Sequence, residues 1–203
     1  MDYPDEPWDL HGHGYVSLWL VPVRSLPALP PEVTAVSLFG KAIVATAFVD
    51  YLPGSLLPYH ELLAGVLVRQ GRRVGLSITD IWVDSPTSRD GGRELWGIPK
   101  ELAEFKLVHE PTFTGTASDS SLLAEAEVRP VTPGLPLPFP VTGTVLQTLH
   151  DELARTPVRA RGRIRWANGR WRTAGSLSWL TGNRPFATVK AEDFELRFGP
   201  RAR

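Results

Sequence analysis

Lys100 is the residue in this chain whose setting most directly suggests chemistry. It closes the run Gly91-Gly92-Arg93-Glu94-Leu95-Trp96-Gly97-Ile98-Pro99-Lys100, and Glu101-Leu102-Ala103-Glu104-Phe105 follows. Trp96, Ile98, Pro99 and Leu102 make this an apolar neighbourhood for a side chain that normally seeks water. Desolvation disfavours an ammonium relative to the free amine. A free amine can add to a ketone or aldehyde and form a Schiff base, which then acts as an electron sink. Arginine cannot do this, and only four of the 22 basic residues are lysine: Lys41, Lys100, Lys106 and Lys190. On the residues alone, a lysine whose stem packs while its head reaches water remains the alternative.

The elements that must hold this run in place read as strands. The chain carries 18 glycines and 19 prolines, a turn-rich load that suits many short strands better than long helices. Period-two or β-branched segments occupy residues 15–23, 33–39, 41–51 and 61–70. Residues 72–84 pair with 61–70 as a hairpin turning at Gln70-Gly71-Arg72. Further strands are expected at 105–110, 113–117, 122–128, 158–166, 170–179 and 194–199. About ten strands spaced closely by turns predict a sandwich or a closed barrel. Helix signals are few. Val145, Leu146, Leu149 and Leu153 follow a Thr-Gly-Thr start at helical spacing, which predicts an amphipathic helix over 145–154, and a shorter helix is expected around 93–97. Five prolines in residues 129–140 predict a stiff crossing segment rather than a domain boundary, so residues 1–203 read as a single domain.

Composition excludes several classes. The 22 basic and 22 acidic residues cancel, and 42% hydrophobic with 22% charged residues is ordinary globular composition. No apolar run approaches the roughly 20 residues of a membrane helix. The acidic start, Met-Asp-Tyr-Pro-Asp-Glu, is unlike a basic leader, which leaves a cytoplasmic protein as the expectation. With no cysteine, disulfides, thiolate zinc and cysteine nucleophiles are all absent. The phosphate-cradling G-x-x-x-x-G-K-[ST] loop, G-x-G-x-x-G and the G-x-S-x-G elbow are absent as well.

Two other motifs invite function. His11-Gly12-His13 places two histidines on one side of a strand, but no acid occurs between His13 and Glu32 to complete a metal set. The pair is read as part of a Gly-flanked loop leading into the first strand, with no metal. Residues 155–172 hold seven arginines with Trp166 and Trp171 among them, a pattern that could grip single-stranded nucleic acid. Yet Arg159, Arg161, Arg163 and Arg165 alternate strictly with Val158, Ala160, Gly162, Ile164 and Trp166. That is what a half-buried strand gives, with arginine facing water or a subunit contact, so nucleic acid is the lesser reading.

The run Gly92-Arg93-Glu94-Leu95-Trp96-Gly97-Ile98-Pro99-Lys100 resembles the signature of the acetoacetate decarboxylase family, in which the lysine is the Schiff-base nucleophile. The segment Asp50-Tyr51 to Leu57-Pro58-Tyr59-His60-Glu61 is similar to the family segment that carries a cavity glutamate, which falls on Glu61. The resemblance implies an antiparallel, cone-like closed β-barrel around a central cavity, with one or two short helices, assembled as a homo-oligomer. It implies a lysine Schiff base acting on a small keto acid or other carbonyl substrate, with no cofactor, no metal and no membrane. Lys100 and Glu61 become the expected catalytic pair. Tyr59, Trp96 and Trp19 are expected walls, His13 stands where the family has a carboxylate-binding arginine, and Arg93 is expected close to the lysine.

The sequence also departs from the family. Glu101 follows the nucleophile where the decarboxylases have a second lysine, and no acid occurs in 44–46 for the family's second glutamate. A carboxylate aimed at Lys100 would favour the ammonium. A barrel that binds a small ligand without catalysis, and an anionic-partner module on 155–172, stay open as alternatives.

Overall fold

Gly71, at φ 56°, turns the chain between two long strands, and turns of this kind set the architecture of the whole molecule. The structure is a computed structural model that describes residues 3–202. The strands in chain order are β1 (Trp8–Pro22), β2 (Thr34–Ala35), β3 (Ser37–Leu38), β4 (Lys41–Tyr51), β5 (Tyr59–Gln70) and β6 (Arg73–Val83). The helix α1 (Pro86–Trp96) follows, then β7 (Lys100–Leu102), β8 (Glu104–Val108), β9 (Phe113–Ser118) and β10 (Leu122–Pro130). The chain ends through β11 (Leu135–Pro136), β12 (Val141–Leu149), β13 (Glu152–Thr173) and β14 (Pro185–Phe198). Short 3-10 turns lie at Val23–Ser25 and Gly175–Leu180.

All of the strands belong to one mixed sheet that closes on itself. Neighbours run β12-β6-β5-β4-β1-β14-β13, and β12 pairs with β13 to complete the ring. Pairing around it is antiparallel except between β12 and β6, which meet in parallel at Val145 and Leu76. Past that point β7 takes the edge of β6 that β12 leaves, with Lys100 opposite Ile81. The protruding half of β13 continues into β10, β9 and β8, which form a second layer over one side of the barrel.

Alternation along the strands sorts side chains into two cores. The barrel interior holds Trp8, Leu10, Ala47, Val49, Tyr51, Tyr59 and Ile81, closed by Trp96 and Ile98 from α1 and the residues after it. The outer face packs Tyr15, Trp19, Phe48, Leu62 and Trp82 against Phe113, Leu123 and Ala126 of the second layer. With both faces of the wall buried, strands such as β4 read as continuous apolar runs.

This double burial explains the one misplaced helix. Residues 145–154 are the end of β12, a turn and the start of β13. Val145 faces the barrel interior and Leu146 the outer core, so apolar residues are adjacent rather than alternating, a pattern periodicity cannot tell from a helix. His150 and Asp151, at φ 50° and 63°, form a tight hairpin turn that ends the strand. The helix expected at 93–97 begins earlier, at Pro86. Ser85 caps it by accepting a hydrogen bond from the Ser88 N–H at 3.2 Å, and Pro86 takes the first turn.

The arginine-rich stretch lies in β13, a single 22-residue strand with alternating exposure. Arg161 pairs with Glu195, Arg165 with Glu192 and Arg172 with Glu125, each on a neighbouring strand. Cross-strand ion pairs therefore absorb much of that charge. Among the described residues, no helix is long and apolar enough to cross a membrane.

Candidate active site

Lys100 enters the barrel because three local features force it there. Gly97, at φ 68°, ends α1 in the left-handed conformation, and its N–H bonds the Arg93 carbonyl at 3.0 Å. A Cβ on Gly97 would stand 2.2 Å from the Thr148 carbonyl oxygen, so both its conformation and its crossing of β12 require glycine. The two following residues then bring Lys100 into register on β6 as the first residue of β7. On the other side α1 lies directly against the lysine stem, where a Cβ on Gly92 would meet Lys100 Cδ at 2.7 Å. Gly92 is helical, so its value is close approach and not an unusual backbone angle. Gly91 does the same for Trp8, 2.6 Å from where its Cβ would be.

Inside, Lys100 and Glu61 are each 4% exposed and form an ion pair at 3.0 Å, Nζ to Oε2. The ammonium also donates to Ser88 Oγ at 2.9 Å and Tyr59 Oη at 3.2 Å, so its three N–H groups have three acceptors. Tyr59 Oη donates to Glu61 Oε2 at 3.3 Å, and Tyr51 Oη donates to Oε1 at 3.4 Å. Burial, reinforced by the Glu61 charge, pushes both phenols well above the ordinary tyrosine range, which keeps them as donors. The ring of Tyr59 lies 4.9 Å from Nζ and that of Trp8 6.0 Å. A buried pair of this kind needs the geometry and extra hydrogen bonds seen here to offset its lost hydration.

Glu101 points away from this centre. It pairs with Arg93 on the outer surface, and Arg93 Nε donates to the Lys100 carbonyl at 2.6 Å. Arg93 thus fixes the lysine backbone and removes the neighbouring carboxylate.

The expected residues divide cleanly. Lys100, Glu61 and Tyr59 are brought together, and Arg93 supports them from outside. Trp96 stands one layer back: it meets Trp8 edge-on at 4.8 Å and donates from Nε1 to Glu6 at 2.7 Å. Trp19 does not belong to the site. It lies in the outer core, donating to Thr46 Oγ1 at 2.9 Å, because β1 turns odd-numbered side chains outward here. His13 faces out for the same reason, near Asp193 and with its ring 6.3 Å from His109. His11 and His13 lie within β1 rather than in a loop before it, and the described residues contain no metal-binding cluster.

Ser88, Tyr51 and Trp8 are the contacts that sequence reasoning missed. The Ser85-Pro86 start was the available signal for Ser88. With α1 begun at Pro86, Ser88 and Gly92 fall four residues apart on one helix face. Tyr51 is the register partner of Tyr59 across β4 and β5.

Comparison with known proteins follows from this geometry. The sequence profile of the acetoacetate decarboxylase family matches residues 22–138. No curated protein sequence matches the chain. Among solved structures, acetoacetate decarboxylase from Legionella pneumophila is similar, with TM-score 0.76 and 20% identity over 99% of this chain and 88% of that one. An acetoacetate decarboxylase-like enzyme from Sphingomonas wittichii aligns at TM-score 0.66 and 16% identity, over 98% and 94% of the two chains. The enduracididine biosynthesis enzyme MppR, complexed with pyruvate, aligns at TM-score 0.65 and 16% identity, over 97% and 89%.

Proposed function

This chain belongs to the acetoacetate decarboxylase family, and we propose that it forms a Schiff base between Lys100 and a small carbonyl substrate. The observation that carries the proposal is the Lys100–Glu61 pair, buried and 3.0 Å apart, with phenol and hydroxyl oxygens around the nitrogen. Glu61 takes a proton from Nζ, and the freed amine adds to the substrate carbonyl carbon. The carbinolamine oxygen then leaves as water, its second proton returned by Glu61, and an iminium remains on Lys100. Tyr59 Oη, 3.2 Å from Nζ, lies within reach of that departing oxygen. The iminium then accepts the electron pair of a bond to the adjacent carbon, releasing either carbon dioxide or a proton that the again-ionised Glu61 takes up, and leaving an enamine. A low-dielectric interior favours the proton transfer from Nζ to Glu61 and the collapse to the enamine, because those two steps cancel charge rather than create it.

The charge balance bears on the substrate. Lys100 and Glu61 cancel each other, and Arg93 is committed to Glu101 outside. A keto acid would bring a carboxylate with no dedicated cation, so neutral ketones and aldehydes fit better than acetoacetate or pyruvate. Pyruvate is bound by the relative MppR. A non-catalytic ligand-binding barrel is the second reading, favoured by the full engagement of the lysine N–H groups. Assembly as a homo-oligomer belongs to the same proposal, supported by the exposed Phe139, Trp166 and Phe186. Sedimentation reads that part directly.

The test is borohydride trapping. Incubation with each of acetoacetate, pyruvate and a set of neutral ketones and aldehydes should leave Lys100 heavier by the substrate, or by its decarboxylation product, less one oxygen atom. Peptide mass spectrometry should place the adduct on Lys100 and find none in Lys100→Ala. Absence of any adduct across the set refutes the Schiff-base reading, and ligand binding that survives Lys100→Ala would favour the non-catalytic one.

A further inference from the structure

Ser88 is the one partner of the Lys100 nitrogen that the Schiff-base steps leave without a task. It is 0% exposed, and its Oγ lies 2.9 Å from Nζ. Two features of α1 hold it there. Its own N–H donates to the capping Ser85 Oγ at 3.2 Å. Gly92, four residues on, lets the helix lie directly against the lysine stem. The hydroxyl therefore reaches the nitrogen from α1, whereas Tyr59 and Glu61 stand two residues apart on one face of β5.

The nitrogen loses N–H groups as the reaction proceeds. The ammonium has three, which meet Ser88 Oγ, Glu61 Oε2 and Tyr59 Oη at 2.9, 3.0 and 3.2 Å. The iminium keeps one, so one acceptor must hold it while the other two are released. Glu61 has to be free to take a proton from the substrate carbon, and Tyr59 is needed at the departing oxygen. A carboxylate on the iminium N–H would also form a strong charge-assisted bond that occupies the base. Ser88 is neutral, and a hydroxyl oxygen has two acceptor sites, so it can hold an N–H whichever way its own hydrogen turns. We propose that Ser88 is a further catalytic residue, the acceptor that keeps the last N–H of the Schiff base and so sets its plane. This role rests on the Schiff-base reading. The iminium nitrogen is planar, so an N–H held by Ser88 and a stem held beside Gly92 leave one direction for the substrate carbon. That direction points away from both, toward Tyr59 and Glu61. Glu61 is then placed to take a proton from the adjacent carbon. The C–H electron pair becomes the enamine C=C bond, and the C=N pair returns to nitrogen.

Deuterium exchange into butanone, a neutral ketone, tests the role in the full chain. In deuterium oxide each enamine cycle replaces a hydrogen beside the carbonyl, read by NMR, while borohydride reports the adduct on Lys100. Without a hydroxyl at position 88 the iminium N–H turns to Glu61 and occupies the base. Ser88→Ala should therefore lower exchange per adduct by roughly tenfold or more, the size expected for a lost hydrogen bond to a charged group. Ammonium and iminium lose the same acceptor, so the adduct yield should fall far less. A fold merely loosened by the substitution would lower both in proportion and leave their ratio unchanged. Ser88→Cys fills similar space with a weak acceptor and should lower the ratio as alanine does, which covers the case of Ser88→Ala failing to fold. An unchanged ratio in the folded variants, or no exchange by a parent that forms the adduct, overturns the Ser88 role and leaves Schiff-base formation standing. Loss of the adduct in a folded variant also overturns it, because the serine would then act before the iminium exists. A parent that forms no adduct overturns both readings.

Discussion

Glu101 is paired to Arg93 on the outside of the barrel, and the same guanidinium holds the Lys100 carbonyl at 2.6 Å. The acid that replaces the family's second lysine is therefore not a counter-ion for the nucleophile. The only carboxylate bonded to Nζ among the described residues is Glu61.

Glu101→Gln should leave borohydride trapping at Lys100 within about fivefold, because an exposed pair of this type contributes at most about 1 kcal/mol. Arg93→Ala should act more strongly, since it also frees the Lys100 carbonyl. A Glu101→Gln variant that loses trapping would place that carboxylate in the reaction after all.

Lys100→Met leaves Glu61 buried without its cation and should lower unfolding stability by about 3–5 kcal/mol. Adding Glu61→Gln should recover much of that loss, because the uncompensated charge is gone. Urea denaturation of the two single variants and the double variant checks the coupling. Strict additivity would mean that the ion pair does not exist in solution.

Gly92→Ala in an exposed helix interior would stabilise by about 1 kcal/mol. Here the new methyl would stand 2.7 Å from Lys100 Cδ, in the middle of a stem pinned at both ends. Overpacking of this kind costs about 1–3 kcal/mol. Melting should therefore fall rather than rise, and trapping should slow. A more stable variant with normal trapping would show that α1 does not hold the lysine in place.

His60 donates through Nδ1 to Asp84 at 2.6 Å, and that hydrogen bond raises the imidazole above the ordinary histidine range against the opposing effect of burial. Burial pushes Asp84 up, but the His60 hydrogen bonds outweigh it and hold the carboxyl below its usual range. The stabilisation is present below the ordinary histidine value, about 6.5, and is lost as pH rises through the raised His60 value. On the acid side it is lost as pH falls through the lowered Asp84 value. The imidazole is 37% exposed, so the effect stays under about 1 kcal/mol. Asp84→Asn should thus destabilise near pH 5.5 and be close to neutral at pH 9, as read by denaturation at each pH.

Tyr15, Tyr51 and Tyr59 are all raised, by burial first and by nearby carboxylates second, and Tyr3 is raised too. Those are the four tyrosines of the chain. Tyr15, Tyr51 and Tyr59 should contribute no tyrosinate absorbance at the ordinary phenol value near pH 10, which leaves at most Tyr3 to ionise there in the folded protein. Stability should fall as pH rises past that value, because the unfolded chain releases phenolic protons that the folded one retains. A reversible step of two or more tyrosines near pH 10 in the folded state, or a one-tyrosine step that survives Tyr3→Phe and Tyr15→Phe, would contradict the buried Tyr51–Glu61–Tyr59 arrangement.

What the sequence determined by itself was local chemistry and local geometry. The Lys100 run, its glycines and the strand alternation of 158–166 were legible because each depends on neighbours in the chain. Which way a strand faces was not. β1 reads the same whether Trp19 and His13 line the interior or the outer core, and only pairing with β4 and β14 decides that both face out. The same ambiguity hid the strand at 145–149, whose two buried faces erase the alternation that marks a strand. Ser88, Tyr51 and Trp8 come from separate elements, and the tertiary structure alone sets them beside one ammonium. That convergence is a long-range event: ring closure and helix packing fix it, and no spacing along the chain encodes it.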